Sequence, residues 1–215
     1  MTITLKEQLA TMKEQFVAST PMEAHLTLSR LIEEQQASGL SNGVPVGSKA
    51  KDFALKDAVG NQVSLYEELS KGPVVLTFYR GGWCPFCNMQ LRAYEKIMPQ
   101  IRELGAQLLA ISPQSPDNTL SQQEKEQLSF RVLSDTQGIV AAKYNLLYDV
   151  PEDLRQVLAG FGLNLAEYNQ TERWILPVPA TFMIDESAVI RSSYVNPDFM
   201  KRMEPDDILA ELSKI

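Results

Sequence analysis

The chain has 215 residues, 44% of them hydrophobic and 22% charged, with a formal net charge of −7 at pH 7. That apolar supply suffices for the core of one domain with additions, and the acidic balance without a lysine–arginine cluster speaks against nucleic acid or an anionic membrane as partner. No stretch reaches the length of a transmembrane helix, and the start Met1–Glu7 has neither the basic residues nor the apolar run of a signal peptide, so a cytoplasmic location is expected.

In chain order, Leu5, Leu9, Met12 and Phe16 fall on one helical face and predict a first helix. Ser19-Thr20-Pro21 reads as a start signal with proline at the first helical position, for a second helix to about Ser38. Residues 1–40 are thus an N-terminal helical arm, expected to pack against the body, with homodimerisation as its alternative role. His25, midway along it, reads as a surface or helix–helix residue. Leu40–Lys49, rich in glycine, serine and proline, is a loop. From 46 to 215 runs the α/β body. Asp52–Leu55 and Gln62–Leu65 predict a hairpin, and Pro73–Tyr79 a buried strand. A helix from Asn88 to about Leu104 should kink at Pro99. The strand Gln107–Ile111 closes a parallel βαβ unit. A helix at Pro116–Gln127, a strand at Phe130–Leu133 and a helix at Gln137–Tyr144 follow. Thr181–Ile184 and Val189–Tyr194 predict a second hairpin, and Pro205–Lys214 a closing helix. A βαβ half followed by an antiparallel hairpin and a helix is the thioredoxin-like α/β fold, here with an N-terminal helical extension. Residues 148–177 exceed the minimal fold. Their Leu154, Leu158, Phe161 and Leu163 form a satellite cluster, with a cap over the cleft or a dimer face as the alternatives.

Between the buried strand and the helix lies Gly81-Gly82-Trp83-Cys84-Pro85-Phe86-Cys87, holding the chain's two cysteines. This puts both sulfurs near a helix N-terminus, where unpaired N–H groups and the helix dipole favour thiolate over thiol. Inert packing is the ordinary alternative for buried cysteines, but a Trp-Cys-Pro-aromatic-Cys turn makes a poor core strand. Zinc needs about four ligands, and two cysteines with the distant His25 do not supply them, so neither metal nor cofactor is expected. A permanent Cys84–Cys87 disulfide would staple almost no chain. Reversible thiol chemistry remains, with Cys84 and Cys87 as catalytic residues and redox disulfide.

The stretch from Val46 to about Tyr194 resembles peroxiredoxin-like members of the AhpC/TSA family, within the thioredoxin superfamily. The carrying residues are Gly47–Leu55, Val75–Cys87 and Val178–Asp185. The family's Pro-x-x-x-Thr-x-x-Cys pattern falls on Arg80, Cys84 and Cys87. The resemblance therefore implies that Cys87 attacks the peroxide, while Arg80 and Cys84 stand where the proline and threonine would be. The family's arginine before the Thr-Phe strand is replaced by Pro179, which leaves Arg80 as the guanidinium expected to lower the thiol pKa. Compared instead with thioredoxins and glutaredoxins, Cys84 would be the nucleophile and Cys87 the resolving thiol, with Val178-Pro179 as the cis-proline pair facing the dithiol. Thr77 stands where thioredoxins place a buried acid. Trp83 is expected beside Cys84, touching substrate together with Val178 and Pro179. The resemblance implies reduction of hydroperoxides, with disulfide exchange as the alternative, recharged by thioredoxin, glutaredoxin or glutathione. A non-enzymatic redox sensor or partner-binding protein is the third reading.

Overall fold

The computed structural model describes residues 3–215. Helix α1 (Leu5–Ser19) begins with a capping box. Thr4 accepts from the Glu7 N–H and the Glu7 carboxylate returns to the Thr4 N–H, so two end donors are satisfied locally. The next helix, α2 (Met22–Ser38), starts one residue later than the sequence suggested. Pro21 has non-helical backbone (ψ 141°) and occupies the cap position, its carbonyl accepting from the His25 N–H. Strands β1 (Ala54–Asp57) and β2 (Gln62–Ser64) form the first hairpin, and a short helix α3 (Leu65–Leu69) follows. Strand β3 (Val74–Phe78) is wholly buried and leads into helix α4 (Pro85–Lys96). The predicted kink is a break. Ile97 leaves helical geometry and α5 (Met98–Glu103) starts afresh with Pro99 in its first turn, where the missing N–H costs no hydrogen bond.

Strand β4 (Gln107–Ser112), helix α6 (Pro116–Glu126), strand β5 (Arg131–Ser134) and helix α7 (Ile139–Lys143) complete the first half. The 148–177 region contributes most of β6 (Leu147–Asp149), then α8 (Glu152–Gly160), α9 (Leu165–Asn169) and β7 (Ile175–Pro177). β6 and β7 pair in their own two-stranded sheet. Strands β8 (Ala180–Ile184) and β9 (Ile190–Val195) form the second hairpin and α10 (Pro205–Leu212) ends the chain. The main sheet has the order β2-β1-β5-β4-β3-β8-β9, with β3 parallel to β4 and antiparallel to β8. This is the mixed α/β sheet of the thioredoxin-like fold. No helix among the described residues is long and apolar enough to cross a membrane.

The strand period of two divides β3 between two cores. Val74, Leu76 and Phe78 face a core with Phe53, Leu65, Tyr144 and Val178, whereas Val75 faces the core that holds both cysteines. The second core also contains Leu91 and Ile101 of the broken helix, Ile208 and Leu212 of α10, and Leu5, Leu9 and Leu28 of the arm. Each fully buried leucine here contributes roughly 1.5–3 kcal/mol relative to exposure. The arm therefore rests on the cysteine side of the sheet. Its α1 is docked by the Glu204 carboxylate, which accepts from the Leu5 and Lys6 N–H groups, and its α2 is joined to α8 by the Arg30–Asp153 ion pair.

Candidate active site

Cys84 is the cap residue of α4, Pro85 its first residue and Cys87 its third. The helix starts three residues before the Asn88 that the apolar pattern marked, because proline pre-sets helical φ. The Cys84 carbonyl accepts from the N–H groups of Cys87 and Asn88, both at 3.1 Å. Both side chains are thus confined to one turn, and both are buried free thiols.

The preceding turn is held by a set of buried amides. Gly82 donates its N–H to Gln114 Oε1 at 2.8 Å, and its carbonyl accepts from Asn88 Nδ2 at 2.7 Å. Gln122 Nε2 donates to Asn88 Oδ1 at 2.7 Å, and Gln122 Oε1 accepts from both the Tyr79 hydroxyl and Gln114 Nε2 at 2.8 Å. Gly81 adopts φ +143°, and a β-carbon there would stand 2.5 Å from Trp83 Nε1. Glycine is required at that position by both backbone and neighbour.

On the other side of the sulfurs lies a residue that motif reading missed. Arg202, in the segment between β9 and α10, is buried and brings Nη2 to 3.3 Å from Cys87 Sγ. Its Nε donates to Gln90 Oε1, and its Nη1 to the carbonyls of Phe199 and Lys201. Gln90 in turn donates to Thr77 Oγ1 at 3.0 Å, and Thr77 pairs with Thr181 Oγ1 and the Ala180 carbonyl. A hydrogen-bonded chain therefore runs from the central strands through one turn of α4 to the guanidinium on Cys87. Arg202 is far from the motif in sequence and has Lys201 and Glu204 within two residues, so it looks like one surface charge among several.

Burial pushes both thiols up, yet their environments separate them. For Cys87 the burial effect is outweighed by a hydrogen bond from the Cys84 thiol, the Arg202 charge, the Arg80 backbone N–H and the Arg80 charge, which bring it down to about 5. Cys84 is held well above its ordinary value by burial, by its hydrogen bond to Cys87 and by the Cys87 charge, against the two arginines. These influences favour the thiolate at Cys87 and the thiol at Cys84.

A cavity of about 500 Å³ opens on this turn. Cys84, Trp83, Pro85, Phe86 and Arg80 form its floor. Phe16, Ser19, Thr20 and Leu28 of the arm form one side, and Leu158, Phe161, Gly162 and Leu163 the other. The Leu158–Leu163 segment thus lines the cleft, and the expected satellite cluster is instead part of the cysteine-side core, in which Leu154 and Leu158 are buried. Phe16, Phe86 and Phe199 contact one another edge-on with centroids 5.8–6.5 Å apart. The Arg80 guanidinium lies over Phe199 at 4.2 Å and Trp83 at 4.9 Å from the ring centroids, a cation–π arrangement. Cys87 lies behind Cys84 and does not reach the cavity wall.

Two expectations are corrected. Pro179 is not a cis-proline, since the described peptide bonds are all trans. Val178 donates its N–H to the Leu146 carbonyl at 2.8 Å and the Pro179 carbonyl accepts from Asn196 at 3.2 Å, so the pair continues an extended path into β8. Val178 also packs in the core on the far face of the sheet, and neither residue lines the cavity. His25 on α2 lies outside the cavity lining as well.

With this geometry in view, the comparisons with known proteins converge. Residues 46–193 match the AhpC/TSA family. The chain is 28% identical over 162 residues to the thioredoxin-like protein YneN of Bacillus subtilis, spanning 75% of this chain and 78% of that one. It is 29% identical over 172 residues to a chloroplastic peroxiredoxin Q of Sedum lineare, spanning 80% of each. Among solved structures, the peroxidoxin BcpB of Mycobacterium tuberculosis superposes with a TM-score of 0.62 at 24% identity, over 79% of this chain and 97% of that one.

Proposed function

Because the chain belongs to the AhpC/TSA family, we propose that it is a thiol peroxidase working through a Cys84–Cys87 dithiol–disulfide cycle. Residues 46–215 would be the catalytic unit and residues 1–40 the arm that walls its cavity. The observation that carries this reading is the Arg202 guanidinium 3.3 Å from Cys87 Sγ. A fixed cation there holds the sulfur as thiolate, and the same charge favours the negative charge that develops on a peroxide oxygen as the O–O bond breaks. It acts in place of the arginine that the sequence lacks at Pro179.

In the first step the Cys87 thiolate attacks the terminal oxygen of a hydroperoxide. A sulfur–oxygen bond forms and the O–O bond breaks. The departing alkoxide takes a proton from solvent, leaving Cys87 sulfenic acid and an alcohol, or water from hydrogen peroxide. In the second step Cys84 sulfur attacks the sulfenic acid, the disulfide forms and water leaves with the Cys84 proton. Two electrons from an external thiol donor, of the thioredoxin, glutaredoxin or glutathione type, restore the dithiol. Both cysteines are buried, Cys84 on the wall of a mostly apolar cavity and Cys87 behind it, which favours a small peroxide over a folded protein disulfide.

A second reading has its own observation. Cys84 is the sulfur on the cavity wall, and a shift of one proton across its hydrogen bond to Cys87 would expose a thiolate there for disulfide exchange. Single-cysteine variants separate the two. Under the peroxidase reading, Cys84→Ser consumes one equivalent of hydrogen peroxide rapidly and yields a Cys87 sulfenic acid that a dimedone adduct marks by mass spectrometry. Cys87→Ser reacts no faster than free cysteine. The reverse pattern would assign first attack to Cys84.

A further inference from the structure

The segment between β9 and α10 is fastened to the cysteine pair and to the arm at once. Arg202 holds Nη2 3.3 Å from Cys87 Sγ, and no carboxylate pairs with this guanidinium among the described residues. Two residues on, the Glu204 carboxylate accepts from the Leu5 and Lys6 N–H groups, the donors in the first turn of α1 that the Thr4–Glu7 box leaves open. Phe199 of the same segment meets Phe16 of α1 edge-on, with centroids 6.5 Å apart. Arg202 and Glu204 line one cavity of about 590 Å³ between α1 and this segment. The segment's other acid, Asp198, is already taken by Lys201 and the Met200 N–H. Both α1 and this segment lie outside residues 46–193, the part that matches the family.

We propose that forming the Cys84–Cys87 disulfide loosens α1: Arg202 loses the thiolate and turns to the Glu204 carboxylate across their shared cavity, and Glu204 leaves the N-terminus of α1. The inference rests on the dithiol–disulfide cycle of the proposed function and holds whatever oxidant drives it. Disulfide formation removes two electrons and two protons from the pair and leaves a neutral sulfur at position 87. A buried guanidinium without an anion is costly, so the carboxylate that shares its space is drawn to it. The Arg30–Asp153 pair still joins α2 to α8, which confines the change to α1. The consequence is access. Phe16 and Ser19 of α1 form one side of the cavity that Cys84 lines, so a loosened α1 opens Cys84 Sγ to a donor thiolate. The donor attacks there and the S–S bond breaks. Cys87 departs with the electron pair as a thiolate, the better leaving group beside Arg202, and a second donor thiol releases Cys84. The restored charge draws Arg202 back, and α1 docks again on Glu204.

The test is hydrogen-exchange mass spectrometry of the full chain, comparing reduced protein with protein oxidised by diamide, whose azo bond takes up the two electrons and two protons. Amides of α1 are expected to exchange at least about tenfold faster in the oxidised form, while those of α2 and β3 keep their rates. In Glu204→Gln the α1 amides should already exchange faster in the reduced form, and oxidation should add little. In Arg202→Gln the two forms should agree to within about twofold. Unchanged protection of β3 shows that each variant keeps its fold. Equal α1 rates in both forms of the unmodified protein, with the disulfide complete by thiol titration, would overturn the proposal and leave the catalytic reading standing. Acceleration shared equally by α1, α2 and β3, or persisting in Arg202→Gln, would also overturn it. A pair that diamide does not close removes the cycle and the proposal together. Consumption of hydrogen peroxide is measured on the same protein. An α1 response to diamide without peroxide consumption would retain the loosening of α1 and remove the peroxidase reading.

Discussion

Removing the charge of Arg202 should move the acid limb of the reaction. Two unit charges 3.3 Å apart, the distance from Arg202 Nη2 to Cys87 Sγ, interact by about 5 kcal/mol at an effective dielectric constant of ~20. At 1.36 kcal/mol per unit, this is a ceiling of roughly 3–4 pKa units. The guanidinium charge is spread over atoms farther away than Nη2, water would enter the space left by a shorter side chain, and Arg80 would remain. About half the ceiling, ~2 units, is therefore the expected loss in Arg202→Gln. The nucleophile is the thiolate, so reactivity is present above the Cys87 pKa and falls as pH drops through it. In the unmodified protein that limb lies at about 5. In Arg202→Gln it should lie near about 7, cutting the thiolate fraction at pH 6 by about tenfold. The assay is the pH dependence of iodoacetamide alkylation of Cys87 in a Cys84→Ser background, comparing Arg202 with Arg202→Gln, beside the thiolate absorbance near 240 nm. Position 84 carries the same serine in both members of that comparison, so the difference isolates the guanidinium. A difference below half a unit would refute the assignment of Arg202 as the group that holds the thiolate. Arg202→Lys keeps the charge but loses the fork to Gln90 and the two carbonyls, and should fall between the two.

Three further substitutions probe the supports of the site. Gln90→Leu removes the amide that ties Thr77 to Arg202; it should lower kcat/KM for peroxide about tenfold and move the acid limb upward by less than Arg202→Gln does, and an unshifted limb would show that Arg202 holds its place without it. Gly81→Ala forces a side chain into φ +143° and against Trp83 Nε1, so an unfolding free energy lower by roughly 1–3 kcal/mol and an altered tryptophan spectrum are expected in denaturant titration. Phe16→Ala removes the ring that joins the arm to Phe86 and Phe199. It should raise KM for a bulky organic hydroperoxide more than it changes the rate with hydrogen peroxide, and equal effects on both would remove the arm from substrate binding.

The legible parts of the molecule were those with short-range causes. The continuous apolar run of β3, the alternating hairpins and the proline before the α5 break are local patterns, and the structure follows them to within a few residues. The cysteine turn was legible because glycines, a proline and two cysteines within seven residues have few other uses. Thr4 and Glu7 carried a capping-box signal that would have fixed the start of α1. Arg202 had no such signal. Its role arises because the chain after β9 folds back over the first turn of α4, and sequence distance hides that meeting. The cis-proline expectation failed for a related reason, since a Val-Pro pair looks alike whether it turns towards the dithiol or continues a strand ladder. The α8–α9 region was visible as an excess of residues in which Leu154, Leu158, Phe161 and Leu163 read as a satellite cluster, with a cap or a dimer face as alternatives. Its side over the cavity depends on packing against α2, which no local pattern specifies.

Thr77 is the residue through which these observations meet. In a thioredoxin-type dithiol the inner cysteine is a thiol until it resolves the mixed disulfide, and a buried acid at the end of the central strand suits the proton transfer that this requires. On the peroxidase reading the inner cysteine is the thiolate, and a proton acceptor beside it would have nothing to accept. A carboxylate at position 77 would instead compete for the cation on which Cys87 depends, since the hydrogen-bonded chain from Thr77 through Gln90 ends on Arg202. A hydroxyl there satisfies Gln90 and leaves the guanidinium its full charge. The neutral strand residue and the distant arginine therefore form one arrangement, and on that reading it inverts the division of labour within the dithiol: Cys87, behind the cavity wall, holds the charge, and Cys84, on the wall, holds the proton.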